Sequence, residues 1–117
     1  MNKNPISKPL SNNQLISLHH LIDEVGRRQL QDFGQINSDL KPDGTLITEC
    51  DRWSDKTIVQ GLAKIANGEG VLSEEGDKLI PHSNEYWVVD PLDGTTNFAA
   101  GIPYWAISIA RFTNGQP

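Results

Sequence analysis

The stretch WVVDPLDGTTNFAAG, residues 87–101, decides how the rest of the chain is read. An apolar run through Val89 ends in Asp90, and a second carboxylate, Asp93, follows three residues later with Pro91 stiffening the chain between them. A short apolar run bounded by turn-forming residues reads as a buried strand, so both charges fall at a strand's C-terminal end. Gly94 lets a ligand approach the backbone, and Thr95 to Asn97 can open a short helix whose free N–H groups face an anion. Taken alone, Asp-Gly more often marks a tight turn than a catalytic loop.

Working outward, Ser11 and Asn12 offer N-cap oxygens, and Leu15, Leu18, Ile22 and Val25 recur at spacings of 3, 4 and 3. That spacing predicts a helix over about 13–32, weakened by Gly26 and ended by Gly34. KPDG at 41–44 reads as the turn of a hairpin, placing Thr48 and Asp51 just past its second strand. A second helix is expected from Asp51 or Arg52, with Ile58, Leu62 and Ile65 on one face and Asn67-Gly68 terminating it. GVLSEEG (70–76) and YWVVDPL (86–92) are strand candidates whose carboxylate-bearing ends suit a shared edge, and IPYWAISIARF (102–112) is the last. Interleaved helices and strands favour a layered α/β domain over all-α or all-β folds. Residues 1–10, with two prolines, read as a flexible leader before a folded part at 11–117.

Composition sets the bounds. A chain of 117 residues is one domain's worth, able to bury about two thirds of its unfolded surface. With 37% hydrophobic and 21% charged residues it reads as globular, on the lean side in apolar content. A net charge of -5 gives no support to a nucleic-acid or acidic-membrane partner. Cys50, alone of its kind, excludes an internal disulfide and a thiolate metal cage. Neither a signal-peptide core nor an apolar run of membrane-spanning length occurs, and a cytoplasmic location is the expectation.

Four carboxylates, Asp51, Glu74, Asp90 and Asp93, fall at the ends of predicted elements, with Glu75 beside Glu74. Such crowding is unfavourable unless protons or cations relieve it, and hard oxygen ligands suit Mg²⁺, Mn²⁺ or Ca²⁺. A phosphate bridging the cations and the amides after Gly94 would be placed for attack by activated water, the chemistry of a metal-dependent phosphomonoesterase. Plainer readings stand beside this one. Paired glutamates are usually solvated surface, His19, His20 and His82 have nothing around them that signals catalysis, and Trp53, Trp87 and Trp105 suit core or interface. Lys41 is either a turn residue or a cation near the incoming phosphate.

The long motif WVVDPLDGTTNFAAGIPYWAISIA resembles the signature of the inositol monophosphatase family, lithium-sensitive Mg²⁺-dependent phosphatases, with TLITECD (45–51) and VLSEEG (71–76) upstream in the family's order and at its distances. The resemblance implies the N-terminal half of the αβαβα sugar-phosphatase fold, a mixed, largely antiparallel sheet with flanking helices. It further implies that Glu74, Asp90 and the Leu92 carbonyl hold a first Mg²⁺ and that Asp90 and Asp93 hold a second. Gly94, Thr95 and Thr96 would receive the phosphate, Asp51, Thr95 and Glu74 would order and deprotonate the water, and the full-length form would be a homodimer acting on a small phosphorylated substrate. Departures are a serine before the glutamate pair, a compact KPDG hairpin, and the family's greater length. That length carries a further aspartate in a motif resembling WDxAAG and most of the substrate-selecting surface, so the chain is expected to be a truncated form or half of a split enzyme.

Relatives with this signature act on inositol phosphates, fructose bisphosphate, histidinol phosphate or adenosine 3',5'-bisphosphate. DPLDGTTNF with a short SEEG segment looks most like the inositol monophosphate branch. A competing enzyme reading is an aspartyl-phosphate phosphatase, whose DxDGT resembles DPLDGT. Against it, the extra residue here breaks the alternation that points two carboxylates the same way from a strand. A non-catalytic metal- or phosphate-binding module is the reading from another class, and a Ca²⁺-binding turn is weaker because the loop has too few oxygens at the needed positions.

Overall fold

The computed structural model describes residues 8–35, 38–76 and 84–117. His82 lies outside them, as does most of the expected leader. The leader's end is tethered: Leu10 packs against the core and the Lys8 carbonyl accepts from Arg111 Nη1 at 2.9 Å.

Helix α1 runs Asn12–Asp32, started by Ser11, whose side chain accepts from the Gln14 amide while the Gln14 side chain reaches back to the Ser11 N–H. Its buried face differs from the expected one. Leu15 is 41% exposed and Ile22 half-buried, whereas Leu21, Val25 and Gln29 are the buried positions. Gly61 explains the shift, since it leaves room on the second helix for Leu21, whose two δ-carbons lie 2.6 and 2.7 Å from where a Cβ would be.

Strands β1 (Ser38–Leu40) and β2 (Leu46–Thr48) pair antiparallel across the KPDG turn, as expected. The turn is closed by Gly44 donating to the Lys41 carbonyl and by Asp43 accepting from the Thr45 amide and hydroxyl. Helix α2 spans Glu49–Ile65, beginning two residues before the expected start. Thr48 is its N-cap and Asp51 its third residue, and their side chains cap each other's backbone N–H. Ile58 and Leu62 face the core as predicted, and Gly68 turns the chain with φ +89°.

Strands β3 (Gly70–Ser73), β4 (Glu85–Asp93) and β5 (Ala106–Thr113) form one sheet in that order, with β3 and β4 parallel and β4 and β5 antiparallel. A five-residue helix α3 (Thr95–Ala99) joins β4 to β5. The last strand starts later than predicted because Ile102 and Tyr104 spend their amides on the Asn97 and Ile102 carbonyls. Asn114 and Gly115, at φ +52° and +81°, turn β5 back in the manner of a tight Asn-Gly hairpin.

The core lies between the helices and the sheet: Leu21, Val25, Ile58, Leu62, Ala66, Trp87 and Val89. Each fully buried large side chain contributes about 1.5–3 kcal/mol. A smaller cluster of Cys50, Leu92 and Phe98, with Phe33 and Trp105 against it, lies under the end of β4. Among the described residues no helix is long and apolar enough to cross a membrane.

Candidate functional site

Parallel pairing brings the ends of β3 and β4 to one edge of the sheet, so Glu74, just past β3, and Asp90 and Asp93 in β4 border a common cleft. The Glu74 amide donates to the Val89 carbonyl at 2.9 Å and fixes that corner. The cleft, about 310 Å³, is also lined by Leu92, Gly94, Thr95, Thr96 and Lys41.

The DPLD spacing acquires a physical meaning here. Asp90 is registered with Ser108 and Asp93 with Ala106, so two residues of β4, Pro91 and Leu92, oppose only Ile107. In a regular strand, residues three apart face opposite ways; one inserted residue, a β-bulge, returns Asp93 to the side of Asp90. Contrary to expectation, the extra residue does not point the carboxylates apart: the bulge returns them to one side.

Gly94 holds φ +104°, and a Cβ there would lie 3.0 Å from the Tyr104 carbonyl, so glycine is required on both counts. The α3 N-terminus that follows has no side-chain cap. Asp51 is fully buried and both its oxygens are engaged. Oδ2 accepts from the Thr48 amide at 2.9 Å and from the Thr48 hydroxyl, and Oδ1 accepts from the Thr95 hydroxyl at 2.6 Å. Asp51 therefore meets the cleft through Thr95, whose hydroxyl also lies 3.2 Å from the Leu92 carbonyl.

Lys41 reaches across from the hairpin to the second glutamate of the pair, 2.9 Å from Glu75 Oε1, and the Glu75 side chain is nearly buried. Glu75 is thus a paired wall residue rather than solvated surface. His19 and His20 are exposed on α1.

Among the described residues that line the cleft, carboxylates outnumber the cationic side chain of Lys41. Burial first, then the Asp93 and Glu74 carboxylates, push the Asp90 carboxyl up from 3.8 to about 6. Among the described residues no three His, Cys, Asp or Glu side chains stand close enough to grip a metal ion as they are. The donors nonetheless fit a hard divalent cation: oxygens only, in one cleft, with a carboxyl whose ionisation is opposed by burial and by its neighbours.

Sequence reasoning missed the support beneath this rim. Thr48 was legible as the first residue of a Thr-x-x-Asp capping pattern; Gln29, Ser54 and the indole of Trp105 gave no comparable signal. The Gln29 amide donates to the Pro91 carbonyl at 2.8 Å and the Ser54 hydroxyl at 3.0 Å, and accepts from Trp105 Nε1 at 3.1 Å.

Residues 12–117 match the model of the inositol monophosphatase family. A histidinol-phosphatase of Mycobacterium tuberculosis is 36% identical over 110 residues, 92% of this chain and 42% of that protein. An inositol-1-monophosphatase of Mesorhizobium japonicum is 39% identical over 97 residues, 80% of this chain and 36% of that protein. Among solved structures, the IMPase of Thermotoga maritima superposes with a TM-score of 0.77 at 31% identity, covering 88% of this chain and 41% of that one. The chain thus spans about two fifths of the length of these relatives.

Proposed function

Because the chain belongs to the inositol monophosphatase family, we propose that residues 11–117 are the N-terminal, metal-binding part of a Mg²⁺-dependent phosphomonoesterase, cytoplasmic and homodimeric in its full-length form. The observation that carries this reading is the bulge that sets Asp90 and Asp93 beside Glu74 in one cleft, next to a threonine anchored on a buried aspartate.

Glu74, Asp90 and the Leu92 carbonyl would hold one Mg²⁺ and Asp90 with Asp93 a second. When bound, Mg²⁺ supplies Lewis-acid polarisation of the ester phosphate and lowers the pKa of water. Thr95 donates its only hydroxyl proton to Asp51, which leaves its lone pairs to accept a hydrogen bond from the attacking water and to aim that water's oxygen. Glu74, on the exposed rim, takes the water's proton. The amides of Gly94, Thr95 and Thr96 face the phosphate across a glycine that keeps the approach open. Lys41 stays on Glu75 and shapes the cleft wall.

The substrate of the first reading is inositol 1-phosphate. A second reading, histidinol phosphate, is favoured by the 36% identity to a histidinol-phosphatase over 92% of this chain. Both are tested by phosphate release with Mg²⁺, from the chain alone and from the chain complemented with the C-terminal half of a relative. Turnover of one ester at least tenfold above the other identifies the substrate. Turnover that survives Asp90→Asn with Asp93→Asn defeats the proposal, and cation binding without turnover after complementation reassigns the chain as a binding module.

A further inference from the structure

We propose that Gln29 is a positioning residue: it fixes the Asp90–Asp93 bulge from beneath and thereby sets the site's affinity for a divalent cation, an inference that rests on the phosphatase reading above. Gln29 is 1% exposed and falls where the Leu21, Val25 periodicity of α1 calls for an apolar side chain. An amide at such a position is costly unless bonded, and an apolar residue there would serve packing better. Here both amide protons and the carbonyl oxygen are used, on three different elements: the Pro91 carbonyl in β4, the Ser54 hydroxyl in α2 and the indole leading into β5.

The location of those partners gives the network its role. Pro91 lies at the point where the β4–β5 ladder is interrupted, so its carbonyl is held by α1 instead of by the neighbouring strand. Trp105 backs the other end of the loop: its Cα and Cβ lie 3.3 Å from where a Cβ on Gly94 would be, and its ring stacks on Phe33 at 4.8 Å. One buried amide therefore ties together the corner bearing Asp90 and Asp93 and the wall behind Gly94. Without it, hydrophobic packing of Leu92 and Phe98 would still cover the region, but the side-chain hydrogen bond that holds the Pro91 carbonyl would be lost.

Gln29→Met keeps length and helix preference and removes the hydrogen bonds. In this variant we expect a cooperative thermal melt, backbone hydrogen exchange at Leu92 to Thr95 accelerated about tenfold relative to the α2 core at Ile58 and Leu62, and Mn²⁺ affinity, read by electron paramagnetic resonance, weakened by about tenfold. Gln29→Leu, which likewise removes all three hydrogen bonds but with a stiffer apolar side chain, should weaken Mn²⁺ similarly, and it carries the test if Gln29→Met does not fold. A purely structural role predicts exchange that rises uniformly with lost stability. That pattern, or Mn²⁺ affinity within twofold of wild type in the folded variant, overturns the inference. Wild type that takes up no Mn²⁺ even when complemented with the C-terminal half of a relative sinks the metal-dependent reading instead, and the exchange comparison still decides whether Gln29 holds the bulge.

Discussion

Asp51 and Asp90 border the same threonine-bearing corner, and their environments are opposite. Asp51 is fully buried, yet its two oxygens collect three donors, from Thr48 and Thr95. Asp90 is only half-buried, yet burial and then the carboxylates of Asp93 and Glu74 push its carboxyl up to about 6. Depth of burial alone does not decide how a carboxylate is accommodated; the donors that satisfy it and the like charges that crowd it count as well. Asp51 is satisfied by donors of the fold itself, whereas on the proposed reading Asp90 is relieved by a bound cation.

The contrast is broken most directly at Asp51. Asp51→Ala leaves two hydroxyls and an N–H without their acceptor and removes one arm of the α2 capping box. A loss of about 3–4 kcal/mol is expected in urea denaturation, from the unsatisfied donors and the lost cap together. Cys50 next door is a built-in reporter. It is fully buried, and burial followed by the nearby Asp32 pushes its thiol up to about 12. At pH 8 iodoacetamide should therefore leave native wild type unlabelled and label the Asp51→Ala chain at least tenfold faster. A cost below about 1 kcal/mol would mean that Asp51 is no better accommodated than Asp90, and the comparison would fall.

Thr95 is the hinge between the two environments, and it tests whether they are coupled. Thr95→Val keeps shape and volume but removes the 2.6 Å bond to Asp51 Oδ1. A loss of about 1–2 kcal/mol is expected, recovered in large part by Thr95→Ser. Equal stability of all three proteins would show that Asp51 is satisfied by Thr48 alone and that Thr95 is free to serve only the cleft.

Much of this was legible in the chain. Strand ends carrying Glu74, Asp90 and Asp93, the KPDG turn and the glycine after Asp93 are all local signals, because turns, caps and short apolar runs are decided by neighbouring residues. The buried face of α1 was misjudged for a non-local reason: Leu15 and Ile22 fit the period, but the space that admits Leu21 is made by Gly61 on another helix. The bulge was hidden likewise, since register depends on which residues of β5 lie opposite, and a spacing of three between aspartates then argues the wrong way. Gln29 was invisible because a polar residue in a helix carries no mark of its partners, which come from positions 54, 91 and 105.

The smallest effect is expected at Asp90, and its sign is the sharpest part of the contrast. A carboxyl raised from 3.8 to about 6 binds its proton more tightly in the folded than in the unfolded chain. Its contribution therefore favours folding fully below about pH 4 and is lost as pH rises through 6, so in chelated, metal-free protein the ionised group opposes the fold at neutral pH. Asp90→Asn should raise the melting temperature in EDTA at pH 7.5, by less than about 1 kcal/mol in stability after solvent screening, with the gain shrinking through pH 6 and gone near pH 4. Asp93→Asn should move the same transition downward by removing the second cause of the shift. Adding Mg²⁺ should then stabilise wild type and leave Asp90→Asn unmoved, since a ligand stabilises only the folded form that binds it. Destabilisation by Asp90→Asn in EDTA at pH 7.5 would mean that the rim carboxylate, like Asp51, serves the fold.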